Sequence, residues 1–355
     1  MHEGVRRVLA GAEILSVPMA DGGEGSLDIL LKACGGERRC SKLPGVDGVF
    51  RSVDWGVIRL HKDEKQAVIE VAQIAGIASA GTTPVERRSS EGVGLLMARC
   101  LDIGIRRFLI CLGGSSINDG GAGLLSTLGL SLLSDSGRRI HPNLGGLADL
   151  TQIDDAGLDR RLKSCEIKLI CDVDNPLFGP EGATQMYGPQ KGIRQDKMAE
   201  YDARLQHFAG LCEQCIGIFS SGLAGAGAAG GLGFALQLLG AKYYSGAAMM
   251  AELLDLDAVM ENADLVLTGE GKTDAQTLRG KVAYEVARRA SRLGSPVALI
   301  SGSVDRGVDG LENVFNHICA VTPAHMSMEE AATHAKTLIS EAAEQVALKH
   351  LGVDR

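Results

Sequence analysis

Arg107-Phe108-Leu109-Ile110-Cys111-Leu112, followed by Gly113-Gly114-Ser115-Ser116-Ile117-Asn118-Asp119-Gly120-Gly121-Ala122-Gly123, is the stretch that decides the fold class of this chain. The first six residues are an apolar run of strand length, read as a buried strand. The glycines after it let backbone come close to a ligand and reach positive φ. A helical pattern then resumes over Gly121–Leu130. The same build occurs twice more. Ala12–Pro18 reads as a strand entering Pro18-Met19-Ala20-Asp21-Gly22-Gly23-Glu24-Gly25-Ser26, with a helix over Ser26–Ala33. Leu265–Leu267 reads as a strand entering Thr268-Gly269-Glu270-Gly271-Lys272-Thr273-Asp274, with a helix over Lys281–Leu293. Strand, glycine loop and helix in that order describe an open parallel α/β sheet whose ligands sit at the carboxyl ends of its strands.

The remaining pattern is consistent with that class. Trp55–Leu60 and Gln66–Ala72 read as β pieces split by the charged turn Lys62–Lys65, and Ile167–Cys171 as a strand ending at Asp172. A long amphipathic helix is expected at about 195–215, a strand over Pro296–Ile300, an edge strand over Phe315–Val321 and one closing helix over Met328–Leu351. With 355 residues the chain suggests two domains. The regular stretches 1–36, 88–125 and 258–355 are assigned to one discontinuous domain. The less regular 37–87 and 126–257 are assigned to a second, inserted twice, with a cleft between the two.

Composition narrows the function. Lys and Arg number 36 against 44 Asp and Glu, a formal charge of −8, so no extended basic face is on offer and nucleic acid is not an expected partner. No signal peptide is legible and no apolar stretch reaches the ~18 residues of a membrane span, so a soluble, cytoplasmic protein is expected. The nine cysteines are odd in number and several sit in apolar runs. Cys212 and Cys215 form a lone CxxC without two further ligands nearby, and the eight histidines form no metal-type pair. What remains is the loops: backbone N–H groups that attract phosphate, beside carboxylates that suit a hard cation such as Mg²⁺. Phosphate with magnesium is the chemistry of a nucleotide-using enzyme.

Several constellations refine this. Asp172 and Asp174 alternate at a strand end and so share a side; they are suited to holding a cation or dividing the roles of base and ligand. Asp-x-Asp after a strand also partly matches the haloacid dehalogenase phosphatases, with Asp172 as nucleophile, except that Pro176 stands where a Thr or Val is wanted. Gly225-Ala226-Gly227-Ala228-Ala229-Gly230 satisfies the dinucleotide fingerprint on paper, but Phe219–Leu223 ahead of it is a poor strand. Gly269–Thr273 looks like the tail of a P-loop, but Val266 stands where its first glycine is required. Lys191, between Gly188 and Gly192, is placed either to reach a phosphate as a point charge or to be a surface lysine in a turn. Asp119 is a candidate to cap the helix that follows.

Taken together, Pro18–Ser26, Gly113–Gly123, Cys171–Gly179, Tyr187–Gly192, Gly225–Phe234 and Leu267–Gly280 resemble the glycerate kinase family in motif, order and spacing. The resemblance runs from near residue 3 to near residue 350. It implies ATP-dependent phosphorylation of D-glycerate, usually to 2-phosphoglycerate, with Mg²⁺. It also implies a flavodoxin-like domain joined to one of restriction-enzyme-like topology, and a strand and loop ahead of the opening helix that this sequence is expected to lack. Where the family has a Tyr-Gly-Thr-Gly run, this chain has Glu91-Gly92-Val93-Gly94, which removes two hydroxyls. On this footing Asp21, Asp172 and Asp174 are the catalytic candidates. Gly22, Gly23, Ser115, Ser116, Asn118, Lys191, Gly225, Gly227, Gly230, Gly269 and Lys272 are the candidates for binding substrate or nucleotide. Glu270 and Asp274 are the candidates for the metal. A non-catalytic metabolite-binding relative is the further alternative.

Overall fold

The structure is a computed structural model that describes residues 1–59 and 64–352; Lys62 and Asp63 of the expected charged turn lie outside them. The chain divides into two compact units, Ala20–Gly246 and Met1–Met19 with Ala247–Arg355. Among the described residues no helix is long and apolar enough to cross a membrane.

The unit Ala20–Gly246 carries β1 (Glu37–Pro44), β2 (Phe50–Arg59), β3 (Lys65–Glu70), β4 (Arg107–Cys111), β5 (Ser131–Leu133), β6 (Gln152–Asp154), β7 (Glu166–Cys171) and β8 (Lys242–Ser245). Six of them make one sheet in the order β1-β2-β3-β4-β7-β8. β1, β2 and β3 pair antiparallel, and β3, β4, β7 and β8 pair parallel. β4 is interior, and Phe108–Cys111 are all buried, because a parallel strand covered on both faces has no solvent side. The helix Ser26–Ala33 buries Leu27, Leu30 and Leu31, and the helix Glu91–Asp102 buries Val93, Leu96, Met97, Cys100 and Leu101. Phe208, on the helix Met198–Ile216, meets Phe234 edge-on at 6.0 Å between ring centroids, a preferred aromatic geometry.

The unit Met1–Met19 with Ala247–Arg355 holds β9 (Val266–Thr273), β10 (Val297–Val304) and β11 (His317–Ala320), all parallel, in the order β11-β10-β9. The helix Val282–Leu293 supplies Ala283, Val286, Ala287 and Ala290 to a core with Val297 and Leu299. Ala342, Ala343 and Val346 of the helix Ala335–His350 pack with Ala298 and Ile300. The alternation of β10 thus sends its side chains to two different apolar layers.

Four expectations change. Ala12–Pro18 is not a strand: it pairs with nothing regular, Leu15 is 63% exposed, and Val17 with Met19 serves the core around Ala283 and Val286 by packing alone. Gly269–Thr273 is not a loop, because β9 continues through it, pairing Gly269 with Ile300 and Thr273 with Val304. The expected helix Met328–Leu351 is two, Met328–Thr333 and Ala335–His350, the first opened by a Ser327–Glu330 capping box. Finally, the assignment of 88–125 with 1–36 and 258–355 does not follow the strand pairing. β4 lies between β3 and β7, from the stretches 37–87 and 126–257, while β9, β10 and β11 form a sheet of their own. A run buried on both faces was legible in Arg107–Cys111; its neighbours were not.

Because β4 is an interior strand with Ile110 fully buried, truncating Ile110 to alanine should cost about 2–5 kcal/mol. Urea unfolding should show a lowered midpoint with an unchanged slope.

Candidate active site

Three segments of the unit Ala20–Gly246 meet where β4 and β7 end. Leu112 N–H donates to the Ile170 carbonyl (3.1 Å), and Gly113 N–H donates to the Gly22 carbonyl (2.9 Å). The Asp21–Gly25 loop therefore lies across the ends of both strands. Gly22 has φ +89°, and a Cβ on it would stand 2.6 Å from the Ile170 carbonyl oxygen, so only glycine fits. Asp21 is exposed, and one of its carboxylate oxygens accepts from Gly23 N–H at 2.9 Å. Its carbonyl oxygen packs directly on Gly246, whose N–H donates to Asp172 Oδ1 at 2.7 Å. Ser245 Oγ adds a longer donation to the same oxygen, 3.4 Å. Asp21 and Asp172, far apart in sequence, are thus gathered around one residue. Asp174 is exposed two residues on. Tyr187 and Tyr243 have phenols raised above the ordinary range, chiefly by burial and secondarily by charges that include Asp174.

Glu70 was not singled out from the sequence. It ends β3, is 1% exposed, and accepts from Leu27 N–H (2.9 Å) and Gln73 Nε2 (3.0 Å). It ties the first turn of the helix Ser26–Ala33 to the sheet, an acid supplying what an orphan helix N–H requires. The signal was an acid closing the apolar run Ala67–Ile69.

The second loop is held from behind. Ser115 and Ser116 are buried. Ser116 sends both its N–H (2.8 Å) and its hydroxyl (3.1 Å) to the Ala75 carbonyl, so its hydroxyl serves the fold rather than a ligand. Asn118 Nδ2 donates to Thr184 Oγ1 at 2.9 Å. Asp119 is fully buried and accepts from Ser90 N–H and Oγ, Gly121 N–H and Gly123 N–H. It therefore ties down the turn that enters the helix Ala122–Thr127 from two residues ahead of the N-cap position, which is Gly121. Burial pushes its pKa up, against those hydrogen bonds. Lys191 is not a surface lysine: it is 5% exposed and its Nζ donates to the Ile117 carbonyl at 2.7 Å. Burial lowers its pKa to about 8, Asp119 acting to raise it and Arg88 to lower it further.

The glycine-rich segment packs between these loops. Gly225 lies against the Tyr243 ring, Gly227 against Asn175, and Gly230 against the Ile117 carbonyl. Gly230, at φ +66°, returns its own carbonyl to Gly120 N–H at 2.9 Å. Ala229 is held at φ 50°, ψ 39°, a left-handed conformation that costs a non-glycine residue about 1 kcal/mol or more. The segment is close packing of loop on loop, not the opening of a dinucleotide-binding βαβ unit.

The third motif belongs to the other unit and is less open than its sequence suggests. Gly269 faces the Ile300 carbonyl across β9 and β10. Lys272 pairs with Asp305 at 2.9 Å on the surface. Glu270 Oε1 accepts from Thr273 Oγ1 and Thr277 Oγ1, both at 2.7 Å. Asp274 Oδ1 accepts from Gln276 N–H at 2.8 Å and stands 3.8 Å from Lys281 Nζ. Among the described residues no group of three His, Cys, Asp or Glu comes together to hold a metal. Glu270 and Asp274 are internal hydrogen-bond acceptors of a turn, and they do not fit a resident cation.

The model of the glycerate kinase family matches residues 1–350. The chain belongs to the glycerate kinase family. It is 37% identical to the glycerate kinase of Halalkalibacterium halodurans over 98% of this chain and 92% of that one. It is also 37% identical to the glycerate 2-kinase of Escherichia coli K12, over 90% and 86% of the two chains. A crystal structure from Salmonella typhimurium LT2, whose own description proposes glycerate kinase 2, superposes with a TM-score of 0.77 at 36% identity, covering 98% and 91%. The α/β class with parallel sheets is that of a solved relative, and the chain is a kinase by membership.

For a glycerate kinase family member, a buried ammonium behind a glycine loop carries a measurable cost. Lys191 ordinarily titrates at 10.5 and is lowered to about 8 when folded. Below about 8 both states hold the proton and the cost is present in full. Between about 8 and 10.5 only the unfolded state holds it, so rising pH stabilises the fold there, by up to about 3 kcal/mol. Urea unfolding of wild type between pH 7.5 and 10 should show that rise relative to Lys191→Met; parallel curves would contradict it.

Proposed function

We propose that the chain transfers the γ-phosphoryl group of ATP to a hydroxyl of D-glycerate, giving 2-phosphoglycerate, as a cytoplasmic enzyme of small-molecule metabolism. The observation that carries this reading is the meeting of Asp21 and Asp172 with the Gly22–Gly23 and Gly113–Gly114 backbone at the carboxyl ends of β4 and β7, in a member of this family. The name of the Escherichia coli relative supports the 2-position. Magnesium enters as part of the substrate Mg·ATP, which needs only one or two protein carboxylates beside its phosphates.

Phosphoryl transfer leaves the protein little covalent work, so positioning and charge dominate. Asp172 has one carboxylate oxygen fixed by Gly246 N–H, which orients the group to accept the proton of the attacking hydroxyl. Asp21 and Asp174, both exposed, supply further negative charge toward a hydroxyl or a metal-bound phosphate. Gly22 and Ser115 present loop backbone, Gly23 holds the Asp21 carboxylate through its N–H, Asn118 presents a buried amide, and Gly225, Gly227 and Gly230 the wall against which these loops rest. Gly269 and Lys272 remain candidates for the nucleotide side.

Purified chain with Mg·ATP and D-glycerate should release ADP in a coupled assay. Asp172→Asn should lower kcat by about 10²- to 10⁴-fold while KM for D-glycerate moves only a few-fold. Folded protein that binds D-glycerate without turnover would favour the metabolite-binding alternative, and neither binding nor turnover would overturn the reading.

A further inference from the structure

Two cations lie buried behind the Gly113–Asn118 loop without a carboxylate in contact among the described residues. Arg88 donates through Nε to the Thr83 carbonyl (2.9 Å) and through Nη1 to the carbonyls of Ser116 (2.9 Å) and Lys191 (3.0 Å). Lys191 donates through Nζ to the Ile117 carbonyl (2.7 Å). The two side chains are 9% and 5% exposed. All four acceptors are neutral carbonyls, which fix the direction of each side chain; the acids that act on the charges do so only through space, Glu86 on Arg88 and Asp119 on Lys191. Among the described residues neither cation has a carboxylate within ion-pair distance. Asp119 acts on Lys191 through space, but both its oxygens are engaged by Ser90, Gly121 and Gly123.

Buried charge without a partner is expensive, and a fold that only needed shape would replace it with apolar groups of similar volume. Here it is doubled, and both charges address consecutive carbonyls of one loop, Ser116 and Ile117. The guanidinium still has its Nη2 edge and the ammonium two of its three protons without a protein acceptor among the described residues. A planar fork beside a point charge matches an oxyanion.

We propose that Arg88 and Lys191 together anchor the carboxylate of the acceptor substrate, and that this pair makes an acid rather than a neutral polyol the substrate. The inference rests on the glycerate-phosphorylating reading above. It assigns Arg88 a role that the sequence motifs did not suggest, and it gives Lys191 to the acceptor rather than to the phosphates of the nucleotide.

The test is steady-state kinetics of Lys191→Met and Arg88→Lys with Mg·ATP, alongside binding of D-glycerate and of D-glyceramide, its uncharged amide. Losing one charge-assisted contact should raise KM for D-glycerate about 10- to 100-fold in Lys191→Met, with KM for ATP within two-fold. The preference for D-glycerate over D-glyceramide should fall by a similar factor. Arg88→Lys keeps the charge and a shorter reach, so it should fold and show a smaller loss on D-glycerate alone. A rise in KM for ATP with D-glycerate unaffected would give the pair to phosphate and overturn the proposal, as would an equal loss on acid and amide. Wild type that neither binds nor phosphorylates D-glycerate would instead overturn the parent reading, and this inference with it.

Discussion

The contact on which the site depends is a backbone crossing, the Gly22 carbonyl accepting from Gly113 N–H while Gly22 itself rests on the Ile170 carbonyl. It joins the loop ahead of the helix Ser26–Ala33 to the ends of β4 and β7, strands that follow it by many residues. Without a side chain at Gly22 the crossing closes; with one, the loop is displaced and Asp21 goes with it. The parallel pairing of β3, β4 and β7 makes this possible, because it brings three chain reversals to the same edge. Site geometry here follows from sheet order and from one position that tolerates no Cβ.

Electrostatics adds a second layer. The Asp172 carboxylate is held at Gly246 and the Asp21 carboxylate at Gly23, while Arg88 and Lys191 are tied to the carbonyls of Ser116 and Ile117 in the same unit. Asp119 separates these roles: it is an acid spent on the backbone, where it holds Ser90 and the Gly121–Gly123 turn together. A kinase needs both signs of charge, and the fold keeps them from neutralising one another by giving each its own neutral partners, N–H groups for the acids and carbonyls for the bases.

Much of this was legible in the sequence where a single physical rule decides. The apolar runs of β4, β7 and β10 announce strands, and Ser26–Ala33 announces a helix by its leucine spacing. The rest depended on pairing, which local pattern does not encode. Ala12–Pro18 has strand composition but no ladder to join, and Pro18 has no N–H to offer one. Gly269–Thr273 has loop composition yet continues β9, because β10 supplies a partner through Val304. Lys191 reads equally as a phosphate-reaching charge or a surface turn residue, since nothing in its neighbours foretells the Ile117 carbonyl. The Arg87-Arg88 pair reads as a solvated helix or loop face, and Glu70 closes an apolar run, because a charged residue at such a place usually meets solvent; Arg88 and Glu70 are instead buried and meet backbone.

Glu70 has a structural consequence of its own. It fixes Leu27 N–H to the sheet at one end of the Asp21–Gly25 strap, and Gly113 fixes Gly22 at the other. Between two such moorings the span is set in length, and Gly22 and Gly25, both in the left-handed region, fix two of its side-chain identities as well. Adding or removing a residue there would break one of the two tethers, so the length of the strap is inherited together with the sheet order.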